Sequence, residues 1–208
     1  MLDLLAHPEC PACGAFSRGG RLCSSCRAEL DGRLHAAPTT GTPFGQFWTG
    51  GAYGGPLGAI VRAAKFGPDV ELAELIAGAV ARRLPRPDLP WNALVAVPTT
   101  PWRRLGRGFH LPDLIAAAVS RSTGVPVRRA LHRRWGASQS GREASARSAA
   151  AAALLTCREG IDGRVLLIDD VLTTGATLHV AACELRAAGA RGVDGLVVAS
   201  SAPPVGFS

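Results

Sequence analysis

One segment leaves this chain few folds to adopt: Val165-Leu166-Leu167-Ile168-Asp169-Asp170-Val171-Leu172-Thr173-Thr174-Gly175-Ala176-Thr177. Val165 to Ile168 is a continuous apolar run, as expected of a strand buried on both faces. Helical spacing from Ala176 to Ala188 ends at Gly189, and a second apolar strand is predicted from Val193 to Ala199. Strand, helix and strand within about 35 residues form a βαβ unit, which obliges the two strands to run parallel.

The same segment carries chemistry. In open α/β sheets, ligands bind at the carboxyl ends of the strands, where this turn falls. Thr173 to Thr177 offer hydroxyls and backbone N–H groups at a helix N-terminus, a ready site for an anion, and Gly175 permits close approach of the backbone. Asp169 and Asp170 would repel a phosphate, but they suit ribose hydroxyls or a Mg²⁺ ion bridging hydroxyls and pyrophosphate. A strand, two acids, a Thr-rich turn and a helix therefore read as a pentose phosphate site. A Walker loop is excluded because no Gly-Lys-Ser/Thr occurs here. A plain helix cap would need one hydroxyl residue, whereas this turn has three Thr, one Gly and two acids in order.

These residues resemble the signature that binds 5-phosphoribosyl-1-pyrophosphate (PRPP) in type I phosphoribosyltransferases. The resemblance implies Asp169 and Asp170 at the ribose, with Val171, Thr173, Thr174, Gly175, Ala176 and Thr177 around the 5-phosphate. It also implies Mg²⁺ bound together with PRPP, and a parallel α/β sheet flanked by helices.

Near the N-terminus, Cys10-x2-Cys13 and Cys23-x2-Cys26 are two knuckles separated by nine residues. Each aims two thiolates at one point, and together they complete a tetrahedral Zn²⁺ site with no open position, hence a structural one. So small a segment has too little apolar surface to fold unaided, so the metal would supply much of its folding energy. Disulfides or a redox pair are the alternatives; a cytoplasmic setting and the lack of a thioredoxin-like frame argue against them. Cys157 and Cys183 are read as ordinary semi-buried thiols.

Residues 1–35 are thus read as a zinc ribbon, 36–56, rich in Gly, Pro and Thr, as a linker, and 57–208 as the α/β domain. Within it, Leu57, Ile60, Val61 and Ala64 keep helical spacing, and Val70 to Leu84 repeats it with Asp69 placed as a cap. Ala93 to Val97 is a buried strand closed by Pro98, a helix follows from Leu111 to Ser122, and Leu131 to Ser148 is a polar loop with some helix.

A hydrophobic share of 47% supports a packed core, and no apolar run is long enough to cross a bilayer. The N-terminus lacks a secretory pattern, so the chain is expected to be cytoplasmic. The net charge of +7 favours an anionic partner, which a nucleic acid and a polyphosphate substrate satisfy equally.

With the cysteines included, the chain from Cys10 to about Ala199 resembles the ComF family, which joins a zinc ribbon to a phosphoribosyltransferase-like domain. The matching pieces are the CxxC pairs, Ala64-Lys65-Phe66-Gly67, Val97-Pro98, Arg107-Gly108-Phe109, Gln139 with Arg147, and the acid-pair loop. His110-Leu111 stand where the family has Asn-Gln, and alanines 149–153 replace a usual Asn. Some members of that family are linked to DNA uptake in competence.

Departing pyrophosphate needs its charge neutralised. Arg107, between two glycines, is the foremost candidate, and Lys65, Thr99, Arg103, Arg104 and Arg147 are further ones. Lys65 is the only lysine of the chain. Three functions stay open: phosphoribosyl transfer from PRPP to a nitrogen nucleophile, a DNA-uptake accessory contacting single-stranded DNA or a helicase, and a PRPP sensor without turnover.

Overall fold

The computed structural model describes residues 9–17, 20–85, 91–99, 106, 108–133 and 155–201. In chain order the elements are α1 (Ser24–Leu30), β1 (His35–Ala36), β2 (Phe47–Thr49), α2 (Pro56–Phe66), α3 (Val70–Arg83), β3 (Ala93–Ala96), α4 (Leu111–Thr123), β4 (Leu131–Arg133), β5 (Leu155–Cys157), β6 (Gly163–Leu172), α5 (Ala176–Ala187) and β7 (Ala190–Ser200).

Five strands form one sheet in the order β1-β2-β7-β6-β3, parallel throughout except for β1 at the edge. Alternation along the strands sends side chains to two cores. Leu94, Leu166, Ile168, Leu196 and Val198 face α2, α3 and α4 on one side. Val95, Val165, Leu167, Val193 and Val197 face α5 and the β4–β5 hairpin on the other. A central parallel sheet covered on both faces accounts for the unbroken apolar runs at 93–97 and 165–168.

The helices form where their apolar spacing places them. Leu72, Ala73, Ile76, Ala77, Ala79 and Val80 make the buried stripe of α3, and Asp69 caps it by accepting the Leu72 N–H at 3.0 Å. Beyond α4 the chain returns to the sheet beside β3, where Leu94 N–H donates to Pro126 O and Arg128 N–H to Leu94 O, both at 2.9 Å. The connection leaving β3 therefore runs to one side and that leaving β6 to the other. They diverge at the carboxyl ends of β3 and β6, the switch point where such sheets take ligands.

Two expectations need correction. Within the stretch read as a linker, Phe47, Trp48 and Thr49 are buried and pair parallel with Gly195, Leu196 and Val197. A three-residue strand among Gly, Pro and Thr leaves almost no periodic signal, and its partner lies far along the chain. Leu131 to Arg133, read as part of a loop, is β4 and pairs with β5; the rest of that segment lies outside the described residues. Strand β6 also runs further than Val165–Ile168 and carries both acids and Val171 within the sheet.

Candidate functional site

Asp169 and Asp170 are the last polar residues of β6 before the turn, held in register by pairing of Asp169 with Val197 and Val171 with Ala199. Successive strand residues point to opposite faces, so the two carboxylates leave the sheet in different directions. Asp169 Oδ1 accepts the Asp170 N–H at 2.8 Å. Asp170 Oδ1 meets the Lys65 ammonium at 2.7 Å, with both side chains only about one-sixth exposed (16% and 15%). Lys65 stands in the last turn of α2, so a helix from one layer closes onto the end of a strand from the next.

The surroundings set the charge of the pair. Burial of the carboxyl, and then the neighbouring Asp170 charge, push Asp169 up from 3.8 to about 8. The Asp170 N–H, Lys65 and Arg133 act in the opposite direction without cancelling this. Asp169 as a residue keeps some access to solvent, but protein surrounds its carboxyl closely enough for desolvation to dominate. Near neutral pH, one acid of the pair is mostly protonated and the other is paired with an ammonium.

Behind the acids, Thr173 and Thr174 are exposed and Gly175 is buried. Gly175 takes φ +79° as the N-cap of α5, a left-handed conformation that glycine adopts at low cost. No side chain caps α5, and Thr174 Oγ1 reaches the Ala176 N–H only at 3.5 Å. The first turn of this helix, Ala176 and Thr177 included, thus presents N–H groups toward the turn, an arrangement suited to an anion.

Thr99 lies three residues beyond the end of β3, at the same end of the neighbouring strand; Val97 N–H donates to Ile168 O at 2.9 Å there. Arg103, Arg104, Arg107 and Arg147 lie outside the described residues. Lys65, grouped in the sequence with pyrophosphate ligands, contacts Asp170 of the acid pair directly. Arg133, at the end of β4, bears electrostatically on Asp169 and escaped notice in the sequence, since it falls in a segment that reads as a polar loop.

The four sulfur atoms of Cys10, Cys13, Cys23 and Cys26 lie within 4.8 Å of one another. Four thiolates about 2.3 Å from a zinc ion stand roughly 3.8 Å apart, so the cluster needs little contraction to hold one. Gly14, at φ +74°, turns the first knuckle, and Cys23 opens α1 as its N-cap, placing Cys26 in the first turn. Leu22, Cys23, Cys26 and Leu30 share a core with Leu72, Ala73 and Ile76 of α3. Polar contacts secure both ends of this joint. Arg21 donates to Asp69 Oδ2, through Nε at 2.7 Å and through Nη2, at the start of α3. Arg82 bonds Asp31 at 3.1 Å and Arg83 bonds Gly32 O at its end.

Away from these strand ends, Asp194 on β7 is fully buried and accepts from Arg164 Nε (2.6 Å) and Nη2 (2.9 Å), Trp91 Nε1 (2.8 Å) and Gln46 N–H (2.9 Å). It ties β6, β7 and the approaches to β2 and β3 together near the strands' amino ends.

No known family profile matches the chain, and no curated protein matches its sequence. Among solved structures it is similar to the glutamine PRPP amidotransferase of B. subtilis, solved with ADP and GMP, at 20% identity and a TM-score of 0.42. That match covers 60% of this chain and only 26% of the other. It is also similar to adenine phosphoribosyltransferase from Leishmania tarentolae (17% identity, TM-score 0.42, 85% of this chain and 87% of the other). The adenine phosphoribosyltransferase of Trypanosoma brucei, solved with AMP, pyrophosphate and ribose-5-phosphate, matches at 16% identity and a TM-score of 0.40, over 85% of this chain and 80% of the other. Likeness at this level concerns the path of the chain alone. The α/β fold and the four-cysteine cluster stand on the geometry above.

Proposed function

We propose that the chain binds PRPP at the β6–α5 turn and is a ComF-type phosphoribosyltransferase that passes the phosphoribosyl group to a nitrogen nucleophile. The observation that carries this reading is one continuous piece of backbone: two acids at the end of a central strand, then a turn through left-handed Gly175 into a helix with no side-chain cap. The turn and the first N–H groups of α5 receive the 5-phosphate, with Thr173, Thr174 and Thr177 adding hydroxyls. Asp169 and Asp170 take the ribose hydroxyls. The new N–C1 bond forms as the C1–O bond breaks, pyrophosphate leaves with the bonding electrons, and the nitrogen gives up a proton.

Two adjacent carboxylates are hard oxygen donors of the kind Mg²⁺ takes, and Asp170 already holds a cation in Lys65. Asp169 and Asp170 are the residues that would hold Mg²⁺, which when bound neutralises charge on the diphosphate. Arg107, Arg103, Arg104, Arg147 and Thr99 remain our candidates on the leaving-group side, by their place in the ComF-like sequence.

The alternative, a competence accessory holding single-stranded DNA or a helicase, needs free basic and aromatic side chains on the ribbon. There Arg21 is committed to Asp69 and Arg27 to Asp31, which favours the sugar-phosphate reading. Calorimetry with PRPP, with and without Mg²⁺, tests it. Binding is expected to need the acids, the Asp169→Asn/Asp170→Asn double variant losing at least about tenfold in affinity. Unchanged affinity in that variant would reject the ribose assignment. Pyrophosphate release with a panel of bases or amines marks transfer, while binding with silence across the panel marks a sensor.

A further inference from the structure

Lys65 is the only lysine among 208 residues in which every other strongly basic side chain is arginine. Its ammonium sits 2.7 Å from Asp170, with little solvent around either group. It is also held there with some care. Asp69 N–H donates to Ala64 O at 3.2 Å and Gly67 N–H to Ala63 O at 2.9 Å, so the turn after α2 folds back on the residues flanking Lys65. Asp69 is in turn gripped by Arg21 of the ribbon. An exposed lysine gains little from a surface partner, but one fixed at its base and shielded at its tip keeps its contact.

We propose that Lys65 is a positioning residue that serves as the resident counter-cation of the acid pair, fixing Asp170 and competing with divalent metal for it until a sugar diphosphate arrives. An ammonium suits this task better than a guanidinium, because it is a compact point charge that yields to another cation without surrendering a two-point contact. With Asp170 already covered by the Lys65 ammonium, a divalent ion arriving alone must displace that cation to reach the carboxylate. Metal and sugar diphosphate are then taken up together. The purpose assigned to Lys65 rests on the PRPP reading, but its test uses no sugar.

Protein labelled with ¹³C-lysine gives a single lysine side-chain signal, which makes Lys65 visible without assignment. Mg²⁺ titrated into the parent protein at pH 8.5 should move that signal and the Asp170 carboxyl resonance with the same midpoint. A lysine signal that stays still while the Asp170 carboxyl responds overturns the proposal. In Lys65→Met the carboxyl resonances should report Mg²⁺ binding at least about fivefold tighter than in the parent, and in Lys65→Arg binding weaker than in the parent, because the guanidinium holds Asp170 at two points. Affinity unchanged or weakened in a folded Lys65→Met overturns it as well, and the parent titration decides the matter if that variant does not fold. Failure of PRPP to bind in calorimetry, with these cation results intact, would sink the sugar reading and leave the counter-cation role standing.

Discussion

Asp169 shows what a site residue costs the fold that carries it. Its carboxyl keeps a proton in the folded protein up to about pH 8, whereas in the unfolded chain it loses that proton near its ordinary 3.8. The folded state therefore binds more protons between those values, and stability falls as pH rises from about 4 to about 8, then levels. Asp169→Asn abolishes that slope. Its thermal midpoint should match the parent's near pH 4 and exceed it by roughly 3 °C or more at pH 8; equal gains at both would show that the carboxyl is not buried against its charge. The presence of two acids here was legible in the sequence, because they stand beside the strand that positions them. The partnership with Lys65 was not, since it joins residues 105 positions apart and depends on how α2 lies against the sheet. Arg133 stayed hidden for the same reason.

At the scale of elements, the part readable from sequence was the part built from neighbours. Asp69 as the cap of α3, the run of β3 and the β6–turn–α5 unit all arise from contiguous residues, and each lies where its pattern puts it. Strand β2 went unread because two of its three side chains are aromatic rings amid turn-forming residues, and it exists only through pairing with β7. The Asp194 cluster is a tertiary event of the same kind. Arg164 satisfies a fully buried carboxylate, with Trp91 and the Gln46 amide completing its shell. Asp194→Ala would strand a partly buried guanidinium and two donors, so urea unfolding should show a loss of about 3–5 kcal/mol. A loss below about 1 kcal/mol would mean that water replaces the carboxylate freely.

For the molecule as a whole, the ribbon is continuous with the core. Leu22, Cys26 and Leu30 pack with the stripe of α3, and arginine contacts close both ends of the joint. No described helix is long and apolar enough to cross a membrane. With zinc loaded on the four cysteines, its removal by a chelator should lower the unfolding midpoint by roughly 5–10 °C. Hydrogen exchange should then quicken along residues 69–83 as well as 10–32; a change confined to 10–32 would show the ribbon to be an independent appendage. The joint also governs how the protein can be shortened. A chain trimmed to begin at His35 would leave an oily flank of α3 bare to water and strip Asp69 of its guanidinium, and such a fragment is destined to clump before any assay of it can begin.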